Sequence, residues 1–93
     1  MADAGDLVAP SFQAGLSTRA MVAAVRYGSY SARDVYDDGR GTIWVKASAV
    51  WLSKKRFFMN HSLAAFEAAA IAEPRLDVFT DNEGVAWFRA LPN

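Results

Sequence analysis

The most constraining feature of the sequence is its central stretch, residues 42–59 (TIWVKASAVWLSKKRFFM). It holds two of the three tryptophans, two of the six phenylalanines, four positive charges and no negative charge. A domain of this size keeps only about 5–15 kcal/mol of net stability, so it needs its large apolar side chains in one core. We therefore expect residues 42–52 to be the structural centre, the three tryptophans to lie mostly in the core, and the cations of residues 54–56 to form an exposed turn.

The first part of this stretch predicts a β-strand over residues 42–46, because it is rich in β-branched and aromatic residues. The Asp-Asp-Gly-Arg-Gly sequence before it is typical of a turn. From residue 47 two interpretations are open. Alternating apolar residues can continue the strand to a hairpin turn at residues 54–55, whereas a helix over 47–58 would carry its cations at the C-terminal end, where they complement the dipole. Of the two, we expect the strand.

Helices are predicted on both sides of the central stretch. An apolar stripe, with Ser17 or Thr18 available as N-cap, predicts a helix over residues 16–27. A Ser-x-x-Asp capping box at residues 31–34 predicts a short second helix over 32–36. A further amphipathic stripe predicts a helix over residues 63–72, which the Glu-Pro pair after it ends.

The C-terminal residues predict a β-hairpin. Alternating apolar residues over 76–80 and 85–89 flank the turn sequence Asp-Asn-Glu-Gly. The predicted fold class is therefore α+β, a small single domain in which two or three helices pack on an antiparallel sheet with a C-terminal β-hairpin. We place this domain at residues 16–93. Residues 1–15 lack sustained periodicity and predict a flexible N-terminal arm.

This order of helix, short capped helix, strand, helix and terminal hairpin resembles that of a winged-helix domain, with residues 76–91 as the wing. It is also similar in pattern to the winged-helix regions that close some plasmid-transfer relaxases. The resemblance implies nucleic-acid binding through a helix and the wing. The chain departs from the pattern at the wing, which is usually basic in such domains but here carries Asp77, Asp81 and Glu83.

The charge is balanced in total but unevenly distributed. Ten Lys and Arg stand against ten Asp and Glu; residues 19–56 hold eight cations and three carboxylates, whereas residues 57–93 hold two cations and five carboxylates. A neutral total gives no global field towards nucleic acid or acidic lipid. The chain also lacks cysteine and any long apolar run, so we expect a cytoplasmic protein without disulfides or a membrane partner.

The sequence shows no catalytic set. His61 is the only histidine, and with no cysteine the usual zinc ligand sets are excluded. Asp34, Asp37 and Asp38 could offer oxygens to a divalent cation, but the Asp37-Asp38-Gly39 sequence is more often a turn. We expect a protein that is not an enzyme and that needs no cofactor or metal.

Two groups of side chains are the candidate binding residues. Cations beside aromatic rings can meet phosphates while a ring stacks on a base, or they can contact a protein partner. The basic and aromatic group consists of Lys46, Lys54, Lys55, Arg56 and Trp44; the acidic group, a candidate partner-facing surface, consists of Asp77, Asp81 and Glu83.

The function that we expect is that of a protein-directed inhibitor or adaptor, of the kind that phage and plasmid genes encode, including inhibitors of nucleic-acid machinery. The neutral total charge and the acidic hairpin suit a protein partner. A basic groove of that partner could receive the acidic hairpin. The alternative is a winged-helix-like nucleic-acid-binding regulator, which the basic middle of the chain favours. If residues 42–52 form one long apolar strand, its exposed edge would also permit a homodimer.

Overall fold

Helices and strands are mixed along the chain. The computed structural model describes residues 16–92. The helices are α1 (Thr18–Tyr27), α2 (Ala47–Ser53), α3 (Lys55–Phe58) and α4 (Leu63–Ala72), and a 3₁₀ turn covers Ala32–Asp34. The strands are β1 (Val35–Asp37), β2 (Ile43–Lys46), β3 (Leu76–Thr80) and β4 (Ala86–Ala90), in one antiparallel sheet of order β1-β2-β4-β3. The predicted α+β class is confirmed. The arm predicted over residues 1–15 lies outside the described residues.

A serine caps each of helices α1 and α4, and α1 begins at Thr18, two residues after its predicted start. The Ser17 Oγ accepts a hydrogen bond from the Ala20 amide (3.2 Å), and the Ser62 Oγ accepts one from the Ala65 amide (3.1 Å). Each bond satisfies an amide that has no partner within the first turn. The predicted helix over 63–72 is confirmed, as are the helix over 16–27 except for its first two residues and the hairpin that β3 and β4 form.

The strand expected over residues 47–52 is wrong, because the chain turns into α2 directly after β2. Ala47 and Val50, three residues apart, are both buried, which is the spacing of a helix face. The Trp51 indole nitrogen then donates to the carbonyl oxygens of Phe58 (3.1 Å) and His61 (3.0 Å), which fixes α3 against α2. The expected hairpin at residues 54–55 is a break between two helices, and β2 is internal to the sheet. The long exposed strand edge that would permit a homodimer is therefore absent from this strand.

The prediction of a short second helix over residues 32–36 is also wrong, because only residues 32–34 are helical and they form a single 3₁₀ turn. The Ser31 hydroxyl donates to the Asp34 carboxylate (3.2 Å) and does not cap the turn, so the predicted capping box is not formed. Val35 and Tyr36 instead pair with β2 as an edge strand. The short second helix, one of the elements on which the winged-helix resemblance was based, is therefore a 3₁₀ turn followed by the edge strand β1.

The hydrophobic core lies on one face of the sheet. Helices α1, α2 and α4 cover this face. Phe88 is at its centre, since it pairs with Val45 on one side and Val78 on the other, and its ring lies 5.8 Å from that of Phe66 in α4. Phe58 is fully buried against the same helix, with its ring 4.9 Å from that of Phe66. Because side chains alternate along a strand, the residues between these core positions lie on the opposite face.

Candidate functional site

The sheet face turned away from the helices, here called the outer face, carries most of the candidate site. It is formed by the residues that alternate with the core positions of the four strands. Its side chains are aromatic or charged: Tyr36, Trp44, Lys46, Asp77, Phe79, Trp87 and Arg89.

Four rings of the outer face, Tyr36, Trp44, Phe79 and Trp87, form what we call the aromatic cluster. The Tyr36 ring centroid lies 6.2 Å from that of Phe79 and 6.2 Å from that of Trp87, and Trp44 meets Phe79 edge-on at 4.9 Å. Tyr36 and Phe79 belong to the two edge strands, whose backbones are about 14 Å apart at a strand spacing of about 4.8 Å. Both side chains therefore lean inward over the middle strands, and the cluster is a continuous layer of rings.

Both cations of the outer face are paired with carboxylates. The Lys46 Nζ lies 3.8 Å from the Asp34 carboxylate and 5.6 Å from the centroid of the Trp87 ring. The Arg89 Nε donates to the Asp77 carboxylate (3.2 Å), and its guanidinium lies 5.5 Å from the other tryptophan ring of the cluster. Cation–π contacts of this kind hold the flat faces of both indoles beside a charged group.

Asp81 fixes the orientation of the Trp87 ring. Its Oδ2 accepts a hydrogen bond from the Trp87 indole nitrogen (3.0 Å), while its Oδ1 accepts from the amides of Glu83 (2.9 Å) and Val85 (3.0 Å). The Trp87 bond first, and the Val85 amide second, hold the pKa of Asp81 below its usual range. This carboxylate also lines a cleft of about 210 Å³ between rings of the aromatic cluster. One side chain thus shapes the hairpin turn and positions a ring of the outer face.

The structure divides the basic and aromatic residues predicted from the sequence into two groups. Trp44 and Lys46 lie on the outer face. Lys54, Lys55 and Arg56 lie instead at the junction of α2 and α3, on the helical side of the molecule, and all three are exposed. We call these three the basic segment.

The predicted acidic surface is placed around the β3–β4 hairpin. Asp77 is engaged with Arg89, and Asp81 with Trp87. Glu83 lies exposed in the turn between the strands. Two of these three carboxylates therefore have partners within the chain. Asp77 lies on the outer face and Asp81 lies beside the aromatic cluster, so the two do not form a separate acidic patch.

The aromatic cluster is not predicted as a unit from the sequence. The expectation that the tryptophans lie mostly in the core is wrong for Trp44 and Trp87, which are half-buried on the outer face. The signal was present in β4, where Trp87 and Arg89 alternate with Ala86, Phe88 and Ala90. An arginine in phase with a tryptophan indicates that both lie on the solvent face of a strand.

Two further findings bear on the class of site. Within residues 16–92, no three His, Asp or Glu side chains come together as metal ligands, and no helix there is long and apolar enough to cross a membrane. Comparison with protein-family models, with curated proteins and with solved structures found no match to this chain.

Proposed function

We propose that the protein is a small binding protein, an inhibitor or adaptor, that docks a protein partner on the outer face of its sheet. The observation that carries this proposal is the aromatic cluster, which none of the described helices covers. Tyr36, at its margin, is 47% exposed. Tyrosine, tryptophan and arginine are the residue types that dominate the energetics of protein interfaces.

The rigidity of the outer face supports this proposal. The Trp87 ring is held by Asp81, and the Arg89 guanidinium by Asp77. Side chains that are fixed before binding lose little rotamer freedom when a partner arrives, so more of the contact energy remains as affinity.

The charges of the outer face favour a protein over nucleic acid at this surface. Lys46 and Arg89 each have a carboxylate partner, and with Asp81 the carboxylates around the cluster outnumber the cations. Nucleic-acid affinity comes largely from cations that neutralise phosphates and release counterions. Cations that are already paired with carboxylates release few counterions on binding nucleic acid. A mixed polar rim around aromatic rings is instead typical of a protein interface.

The test is affinity capture from extracts of the native host with immobilised protein, comparing wild type with the Tyr36→Ser variant. Ile71→Ser is the matched control, because Ile71 is 70% exposed but lies on α4, on the helical side. We expect one stoichiometric partner with wild type and with Ile71→Ser. For Tyr36→Ser, loss of a hot-spot side chain of about 2 kcal/mol weakens affinity about 30-fold. Capture that persists with Tyr36→Ser and fails with Ile71→Ser would contradict the proposal.

A further inference from the structure

We infer that the helical side of the molecule holds a second site, independent of the outer face, that binds single-stranded nucleic acid. A groove of about 310 Å³ lies between α1 and α3. It is lined by small residues of α1 and its C-cap and by two aromatic side chains, Tyr27 at the end of α1 and Phe57 in α3. Tyr27 is 76% exposed and Phe57 59% exposed. Two rings are thus left in water in a domain that needs its apolar area for the core.

The charge around this groove is of one sign. Lys54 lines it, and an adjoining cleft of about 420 Å³ continues past Phe57 along Lys55 and Arg56. Of the residues that the structure describes, no carboxylate lines either cleft. Among the described residues, no carboxylate lies within 4.0 Å of any of the three cations in an ion pair. Charge complementarity therefore requires an anionic occupant.

The shape of the groove favours nucleic acid over an acidic peptide. A peptide helix anchors itself through branched or aromatic side chains that enter deep apolar pockets. Here the only large apolar side chains among the lining residues that the structure describes are the rings of Tyr27 and Phe57, and the other apolar lining residues are alanine and glycine. Rings beside a basic track are the arrangement on which successive bases stack while phosphates meet the cations. The occupant that fits both observations is a single strand of a few nucleotides, with bases on the two rings and phosphates on the basic segment.

The test is a titration of labelled oligothymidylate of about 10 nucleotides, followed by fluorescence anisotropy between about 20 and about 200 mM salt. Three phosphate contacts predict a slope of log affinity against log salt of about −2 for wild type, and Lys55→Gln should reduce its magnitude by about 0.7. Phe57→Ala should weaken binding about tenfold with the slope unchanged, because a ring is lost and no charge.

Arg40→Gln is the charge-matched control, since Arg40 is exposed in the β1–β2 turn, at the end of β2 remote from α2. It should leave affinity and slope unchanged. Absence of binding at the lowest salt, or an equal change of slope in Arg40→Gln and Lys55→Gln, would overturn the inference. Tighter binding of a peptide of alternating Glu and Phe than of the oligonucleotide would overturn it too, and would assign the groove to a protein segment. None of these variants touches the outer face, so their results are separate from those of Tyr36→Ser.

Discussion

Replacement of Tyr36 by alanine tests whether the aromatic cluster is a surface or a second core. A tyrosine side chain can bury about 200 Å², and Tyr36 is 47% exposed, so about half of that area is covered. At about 25 cal/mol per Å² this corresponds to about 2.5 kcal/mol, reduced to about 2 kcal/mol because the unfolded chain already covers part of the ring. Phe58 gives the comparison, since it is fully buried and its truncation should cost about 3–5 kcal/mol.

Urea unfolding followed by tryptophan fluorescence measures both losses, because all three tryptophans remain in each variant. We expect Tyr36→Ala to lose about half as much free energy of unfolding as Phe58→Ala, and to remain folded at room temperature. If the two variants lose the same amount, the rings of the outer face serve the stability of the fold as a core does. The reasoning that assigns them to partner binding would then be refuted.

Three other perturbations follow from single contacts. Gly28→Ala should destabilise the fold by about 1–3 kcal/mol in urea unfolding, because an added Cβ would lie 2.5 Å from the Ala24 carbonyl oxygen although the backbone φ of −70° suits any residue. Hydrogen bonds from the Arg75 side chain and amide lower the pKa of Glu73 from 4.5 to about 2. Since the folded pKa lies below the unfolded one, this stabilisation is complete above pH about 4.5 and is lost as the pH falls towards about 2. Melting temperatures across that range should fall less steeply for Glu73→Gln than for wild type; equal slopes would contradict the assignment. Asp81→Ala removes the hydrogen-bond acceptor of the Trp87 indole nitrogen. The near-ultraviolet circular dichroism spectrum should then show a less ordered Trp87 ring, and partner affinity should fall. An unchanged spectrum would show that other contacts hold the ring.

The elements that the sequence predicts correctly are those decided by local chemistry. Helix α4 has a serine cap and a following Glu-Pro pair, and the β3–β4 hairpin has a turn of Asp, Asn, Glu and Gly. The secondary structure of residues 47–53 cannot be predicted from local sequence, because over seven residues their apolar positions fit both a strand and a helix. The helix is selected by the burial of Ala47 and Val50 against the core, which is a tertiary effect.

The candidate site was predictable in part for a similar reason. Trp44 and Lys46 stand in one short stretch, from which they are predicted as candidate binding residues. Tyr36 and Phe79 are far apart in the sequence and meet only because the strand order is β1-β2-β4-β3. Periodicity gives the face on which a residue lies but not which strands become neighbours, so the cluster could not be assembled from spacing alone.

The sheet has a seam. It consists of two hairpins, β1–β2 and β3–β4, and the ladder that joins them has two residue pairs, Val45 with Phe88 and Lys46 with Trp87. The first hairpin contributes two rings to the aromatic cluster and the second contributes the other two. A partner that lies across the outer face therefore contacts both hairpins and stabilises the short β2–β4 ladder between them. The two hairpins can then separate only after the partner has dissociated. Binding should accordingly slow amide hydrogen exchange in β2 and β4 and raise the melting temperature with partner concentration.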